Sequence, residues 1–104
     1  MYPPFSHIFF VMFSGENEKF LIDSLNMLMD IFKTYNARTN FDLLGPAPAV
    51  ISKIKKQYRW KVIVKGIEEE RVRNFVLYCM DRLREKVDLS SVTVNMTLDP
   101  TFIQ

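Results

Sequence analysis

An alternating run at residues 58–65, Tyr-Arg-Trp-Lys-Val-Ile-Val-Lys, constrains the fold more than any other stretch of this chain. Aromatic and β-branched residues in alternation are typical of a β-strand, whose side chains point to opposite faces in turn. One face carries the largely apolar side chains Tyr58, Trp60, Val62 and Val64. The other face carries Arg59, Lys61, Ile63 and Lys65. We expect the first face to lie in the core and the second to form a mostly cationic surface.

The charge around this strand is segregated. Residues 43–67 contain six lysines and arginines and no acid, whereas the rest of the chain has eight basic and twelve acidic residues. The net charge of the whole chain is only +2, so it predicts no particular partner by itself. Lys53, Lys55 and Lys56 precede a turn at about Gln57. This order predicts that residues 53–56 pair with the 58–65 strand as a hairpin with a shared basic surface.

Length and composition limit the class of protein. The 104 residues suit one domain, and 48% hydrophobic with 25% charged residues is ordinary for a soluble globular fold. A single cysteine excludes an internal disulfide and a zinc site built from cysteines, and it fits a reducing compartment. The chain has no secretory signal and no apolar run long enough to span a membrane. We therefore expect a cytoplasmic protein without a membrane partner.

Periodicity predicts six elements. Residues 7–13 are apolar on both faces, which indicates a central strand covered on both sides. A helix follows from about Asn17, with Ser14 or Asn17 as its N-cap. Residues 41–44 form a short strand that Gly45-Pro46 terminates, and a second one-faced helix follows Gly66 and the acids at 68–70. Residues 92–98 alternate strictly and predict a last strand.

The resulting order is strand, helix, strand, strand, helix, strand. Right-handed crossovers place both helices on one face of the sheet. The sequence therefore predicts an α+β, ferredoxin-like βαββαβ fold, with a four-stranded antiparallel sheet like that of some ribosomal proteins. The first strand and the 58–65 strand are central in this fold. Arg59, Lys61 and Lys65 then project from the open face, opposite the helices.

Four short motifs carry a resemblance to a known family. They are Tyr2-Pro-Pro-Phe5, Leu44-Gly-Pro-Ala-Pro-Ala49, Tyr58-Arg-Trp-Lys61 and Asp99-Pro100. In this order and spacing, the chain resembles the C-terminal domain of PriA-type primosomal helicases over essentially its whole length. The family often has Asp-x-Asp-Pro near the end, whereas Thr97-Leu98-Asp99-Pro100 keeps only the second acid.

The resemblance implies a single domain over residues 1–104, with residues 1–6 as an extended segment leading in from a helicase core. It implies an ATP-dependent DNA helicase of replication restart as the parent protein, from which this chain is a piece. The expected partners are branched or single-stranded DNA, the helicase core of the same chain, single-stranded-DNA-binding protein and primosome proteins. Arg71 is the residue expected to contact the acidic tail of single-stranded-DNA-binding protein.

Nothing catalytic carries over to this chain. It has no Gly-x-x-x-x-Gly-Lys-Ser/Thr loop and no second metal-binding cysteine, so we expect no cofactor here. The ATP and zinc sites of the parent helicase are expected to lie outside it. His7 has no acid or nucleophile at motif spacing and is interpreted as structural. Cys79 lies on the apolar stripe of the second helix and predicts a buried, inert thiol.

The basic zone is the candidate DNA surface. The predicted DNA-binding residues are Lys53, Lys55, Lys56, Arg59, Lys61 and Lys65. We expect them to contact the phosphate backbone without reading sequence, and Arg59 to bind a phosphate bidentately. A solvated sheet face is the simpler interpretation of such a charge run. Tyr58 and Trp60 share a face with two valines, which favours core packing over base stacking.

Two other functions remain open at this level. A regulatory domain of the same architecture would bind a small molecule in a pocket between strand and helix. A ribosomal-type module would bind structured RNA through the same basic face. Salt-dependent binding to forked DNA separates DNA binding from the first alternative, and preference for DNA over RNA separates it from the second.

Overall fold

A computed structural model describes residues 7–49 and 57–98. The elements follow in the order β1 (His7–Gly15), α1 (Glu18–Asn36), β2 (Asp42–Pro48), β3 (Tyr58–Gly66), α2 (Glu69–Lys86) and β4 (Thr93–Leu98). The strands form one sheet in the order β2-β3-β1-β4, and each neighbouring pair is antiparallel. The predicted ferredoxin-like α+β fold is confirmed.

Both helices bury an apolar stripe against the same face of the sheet. The cluster joins Phe9, Val11 and Phe13 of β1 and Val62 and Val64 of β3 to the stripes of both helices. Between the helices, the rings of Phe32 and Phe75 stack with centroids 5.3 Å apart. Right-handed crossovers explain why both helices lie on one side. Among the described residues, helices cover one side of β1, and the expected cover of its other side stays a prediction.

Local side-chain contacts fix where α1 begins and how β2 follows it. Asn17 is the N-cap, because its Oδ1 accepts a hydrogen bond from the Phe20 N–H at 3.1 Å. At the other end, the Asn36 amide closes the polar loop before β2. Its Nδ2 donates to the Phe41 carbonyl and its Oδ1 accepts from the Phe41 N–H, both at 2.8 Å. These bonds set the position from which β2 enters the sheet.

The structure corrects the predicted end of β2. The strand does not stop at Gly45-Pro46 but continues to Pro48, with a register shift between Leu44 and Ala47. Gly45 has φ +109°, which residues with a side chain rarely adopt, and the Gly45–Pro46 peptide bond is cis. An edge strand tolerates proline because its outer N–H groups need no partner in the sheet. The Gly-Pro pair thus marks an irregularity within β2, not its end.

The predicted hairpin of residues 53–56 with β3 concerns residues outside those described. The described β3 is paired on one side with β1 and on the other with β2. Lys53, Lys55 and Lys56 themselves lie outside the described residues. The described cationic surface therefore rests on β3.

Candidate nucleic-acid interface

The structure brings three of the six predicted DNA-binding residues together on one side of β3. Val62 and Val64 are fully buried on the helix side, so the alternation of the strand turns Arg59, Lys61 and Lys65 to the open face. Arg59 is exposed, and the other two are half-buried. Side chains two residues apart on a strand recur at about 6.6–7 Å. This interval is close to the distance between successive phosphates of a nucleic-acid strand.

Within the part of the chain that the structure describes, these three cations have no acidic ion-pair partner, unlike several cations on the helices. Lys19 Nζ lies 2.8 Å from Asp23 Oδ2, and Arg73 Nη2 lies 2.7 Å from Glu69 Oε2. Within residues 7–49 and 57–98, no ion pair joins Arg59, Lys61 or Lys65 to an acid. The register places the carboxylate of Asp42 across from Lys65, on the same face. The positive charge of β3 is therefore largely uncompensated by ion pairing.

An apolar strip lies beside these cations on the open face, and sequence reasoning missed it. Phe10 and Met12 of β1 point away from the helices, since their neighbours Phe9, Val11 and Phe13 are buried beneath them. The Lys61 Nζ lies 5.1 Å from the centroid of the Phe10 ring, within range of a cation–π contact. The signal was available in the run 7–13, which is apolar on both faces, but the run was interpreted as a strand with cover on both sides.

β4 completes this face with uncharged polar groups. Asn95 is the register partner of Met12, and Thr97 is the partner of Phe10. Thr93, Asn95 and Thr97 are exposed, while the alternate residues of β4 are half-buried towards the core. The strict alternation of 92–98 could have identified them once β4 was placed next to β1.

Trp60 belongs to the helix side of the sheet. Its Nε1–H donates a hydrogen bond to Glu18 Oε2 at 2.9 Å, at the first turn of α1, and its ring packs partly against the core. The predicted core packing is confirmed for Trp60. Tyr58, at the beginning of β3, is instead 39% exposed.

Cys79 and His7 are the side chains that could act as a nucleophile or a base, and the structure bears on the prediction for Cys79 only. Cys79 is a free, fully buried thiol, and burial raises its pKa to about 12, which makes the reactive thiolate rare near neutral pH. The interpretation of Cys79 as buried and inert is thus supported. His7 lies at the start of β1, and its structural role stays a prediction.

Among the described residues, no three or more histidines, cysteines, aspartates and glutamates lie together in a way that could hold a metal ion. None of the described helices is long and apolar enough to cross a membrane.

Arg71 lines a shallow cleft where β2, β3 and the start of α2 meet. The cleft has a volume of about 440 Å³ and is lined by both basic and acidic residues, namely Lys65, Arg71, Asp42 and Glu68. Arg71 Nε lies 3.8 Å from Glu68 Oε1, at an exposed site where such a pair contributes little. The contact of Arg71 with single-stranded-DNA-binding protein stays a prediction.

Comparison with known proteins identifies relatives along most of the chain. The model of the family described as "Primosomal protein N C-terminal domain" matches residues 1–101. The chain is 28% identical over 102 residues to "Replication restart protein PriA" of Synechocystis sp. (strain ATCC 27184 / PCC 6803 / Kazusa), covering 98% of this chain and 12% of that protein. It is 23% identical over 82 residues to "Replication restart protein PriA" of Rickettsia felis (strain ATCC VR-1525 / URRWXCal2), covering 79% of this chain and 12% of that protein. The chain thus spans about an eighth of the length of these relatives.

A solved structure is similar in fold alone. The de novo designed protein Foldit4 superposes with a TM-score of 0.66 at 8% sequence identity, covering 89% of this chain and 94% of that chain. A designed protein reaches this arrangement without a natural function, so the fold says nothing about the role of the open face.

Proposed function

The chain belongs to the primosomal protein N C-terminal domain family, and we propose that it serves replication restart as a DNA-binding and scaffolding domain. In this proposal the domain helps a longer PriA-type helicase to recognise branched DNA at stalled forks. ATP hydrolysis and strand separation belong to the remainder of that longer protein, and this domain performs no catalysis of its own.

The single observation that carries the proposal is the group of cations on β3, which have no acidic ion-pair partner among the described residues. Arg59, Lys61 and Lys65 share the open face, with about 6.6–7 Å between Arg59 and Lys61 and about twice that between Lys61 and Lys65. Cations held in this way displace counterions from a phosphate backbone, and each contact adds about 0.7–0.9 to the slope of log affinity against log salt. Contacts of this kind position a protein on DNA without selecting a sequence.

The test measures fluorescence anisotropy of a labelled forked DNA with the 104-residue chain, at low and at physiological salt. The variant Arg59→Ala with Lys61→Ala is expected to weaken binding about tenfold or more at low salt and to reduce the salt slope by about 1.4–1.8. Both residues lie on the open face, so the urea midpoint should change little. Unchanged affinity in a folded double variant would refute the proposal.

A charge-matched control removes two cations from the helices. Lys19→Ala with Arg73→Ala lowers the net charge by the same amount but acts on side chains that already have acidic partners. We expect this variant to keep the affinity and the salt slope of the parent. Equal loss of affinity in both variants would mean that net charge alone, not the β3 row, controls binding.

Competition experiments address the RNA alternative. Forked DNA and a structured RNA of similar length are compared as competitors at the same salt concentration. The proposal expects the DNA fork to compete better than the RNA. Equal competition, or preference for the RNA, would favour a ribosomal-type module instead.

A further inference from the structure

The open face of the sheet carries three chemically different columns of side chains on adjacent strands. β3 contributes Arg59, Lys61 and Lys65, β1 contributes Phe10 and Met12, and β4 contributes Thr93, Asn95 and Thr97. The register aligns them in rows across the sheet: Lys61 opposite Met12 opposite Asn95, and Ile63 opposite Phe10 opposite Thr97. The row of Lys61, Met12 and Asn95 is therefore cationic, apolar and neutral polar in turn. In the row of Phe10 the β3 position is the apolar Ile63, and Lys61 and Lys65 lie at the next positions on the same face of β3. Neighbouring strands are about 4.8 Å apart.

This order matches the layout of one unpaired nucleotide. A nucleotide presents a phosphate at one end, a flat base in the middle and hydrogen-bonding groups on the far edge of the base. Across the sheet, the cationic and polar columns lie about 9–10 Å apart, with the apolar column between them. Double-stranded DNA does not fit in the same way, because its base faces are stacked on one another and only its phosphates and base edges are accessible.

The contact between Lys61 and Phe10 shows how the face would accept a base. The ammonium group lies 5.1 Å from the centre of the ring, so a face of this ring is turned towards a mobile cation instead of being packed in the core. A Lys61 side chain that moves to a phosphate leaves that ring face to a base, and every base offers a π-face for such stacking. Lys61 then contacts the phosphate of a nucleotide, and the Phe10 ring contacts the base of the same nucleotide.

We propose that the open face of the β2-β3-β1-β4 sheet binds single-stranded DNA, with phosphates on β3, a base stacked on Phe10, and base edges at Asn95 and Thr97. This inference rests on the proposed DNA-binding function and extends it from backbone contact to contact with unpaired bases. Charge complementarity favours a ligand that is anionic along one edge, because the cations of β3 border the apolar strip on one side only. At a fork, the unpaired arm is the part of the DNA whose base faces are accessible.

The test compares two short oligonucleotides with the same number of phosphates, an oligothymidylate and an abasic analogue that lacks bases. Both compete against labelled forked DNA for the 104-residue chain. Base stacking predicts at least about fivefold tighter binding of the oligothymidylate. Equal affinities with a normal salt slope would overturn the base contact while leaving backbone DNA binding intact. Absence of salt-dependent binding to either would overturn both proposals.

Two variants of Phe10 locate the contact. Phe10→Leu keeps an apolar side chain but removes the ring. The affinity for oligothymidylate should therefore fall towards the affinity for the abasic analogue. The matched control is Phe9→Leu, on the buried face of the same strand, which should keep the preference. An unchanged preference in folded Phe10→Leu would overturn the proposed site.

Phe10→Trp supplies a direct signal, because a stacked base quenches indole fluorescence. Native Trp60 lies on the helix side and gives the background in the parent chain. We expect oligothymidylate to quench the Phe10→Trp chain and to leave the parent chain nearly unchanged. Saturating binding without extra quenching would overturn stacking at this position.

Discussion

The two faces of the sheet are made by the same strands and differ in almost every physical property. On β1, Phe9, Val11 and Phe13 lie beneath the helices, whereas Phe10 and Met12 lie on the other side, half-buried. On β3, buried Val62 and Val64 alternate with side chains that include three cations. The helix face provides the stability of the domain, and the open face combines apolar and charged groups that an ordinary solvated surface would not require. This difference makes the open face the candidate interface.

The sharpest test of this comparison replaces two neighbouring residues of β1 by alanine, one on each face of the sheet. Phe13→Ala removes a fully buried ring and should lower the free energy of unfolding by about 3–5 kcal/mol. Met12→Ala removes a half-buried side chain from the open face and should cost roughly 1 kcal/mol. Urea denaturation followed by circular dichroism measures both. Similar losses would mean that the open face is also packed as a core.

Reactivity at Cys79 tests how completely the helices cover their face. Burial raises the thiol pKa to about 12, so native labelling by iodoacetamide at mildly alkaline pH should be at least about a hundredfold slower than in the unfolded chain. A control chain, Cys79→Ala with Asn95→Cys, places the thiol on the open face and should react at nearly the unfolded rate. Fast labelling of native Cys79 would show that the helices open readily.

The same pKa shift predicts a dependence of stability on pH. The thiol pKa is higher in the folded state than the usual value of 9.0, so the neutral thiol is favoured by folding. Its contribution is present below pH 9.0 and is lost as the pH rises through about 12. The parent chain should therefore lose stability more steeply than Cys79→Ala over that interval.

A smaller loss of stability is expected on removing the hydrogen bond between Trp60 and Glu18, on the helix side of the sheet. Glu18→Ala removes the acceptor of the indole N–H and should lower the free energy of unfolding by about 1 kcal/mol. Glu18→Gln keeps a carbonyl acceptor and should cost less, and Glu16→Ala, at an exposed neighbouring position, should cost under about 0.5 kcal/mol. DNA affinity should be unaffected in all three. A loss of DNA affinity in folded Glu18→Ala would place Trp60 in the interface after all.

Prediction from sequence succeeded where a residue pattern acts locally. The 58–65 alternation and the helix stripes each depend on the period of one element, and the resulting βαββαβ order leaves few topologies. Prediction was wrong at Gly45-Pro46, since only the pairing with β3 reveals that β2 continues past an irregularity. Sequence also did not reveal that β3 pairs with β2 on one side and with β1 on the other, because both pairings join residues far apart in the chain.

The sequence by itself determined the six elements, the buried stripe of each helix and the cationic side of β3, because side-chain periodicity follows directly from backbone geometry. The tertiary structure alone decided which columns lie next to one another. Phe10, Lys61 and Asn95 are far apart in the chain, and the sheet order β2-β3-β1-β4 brings them to adjacent strands. The candidate interface is therefore a property of strand pairing across long sequence separations, and no local pattern contains it.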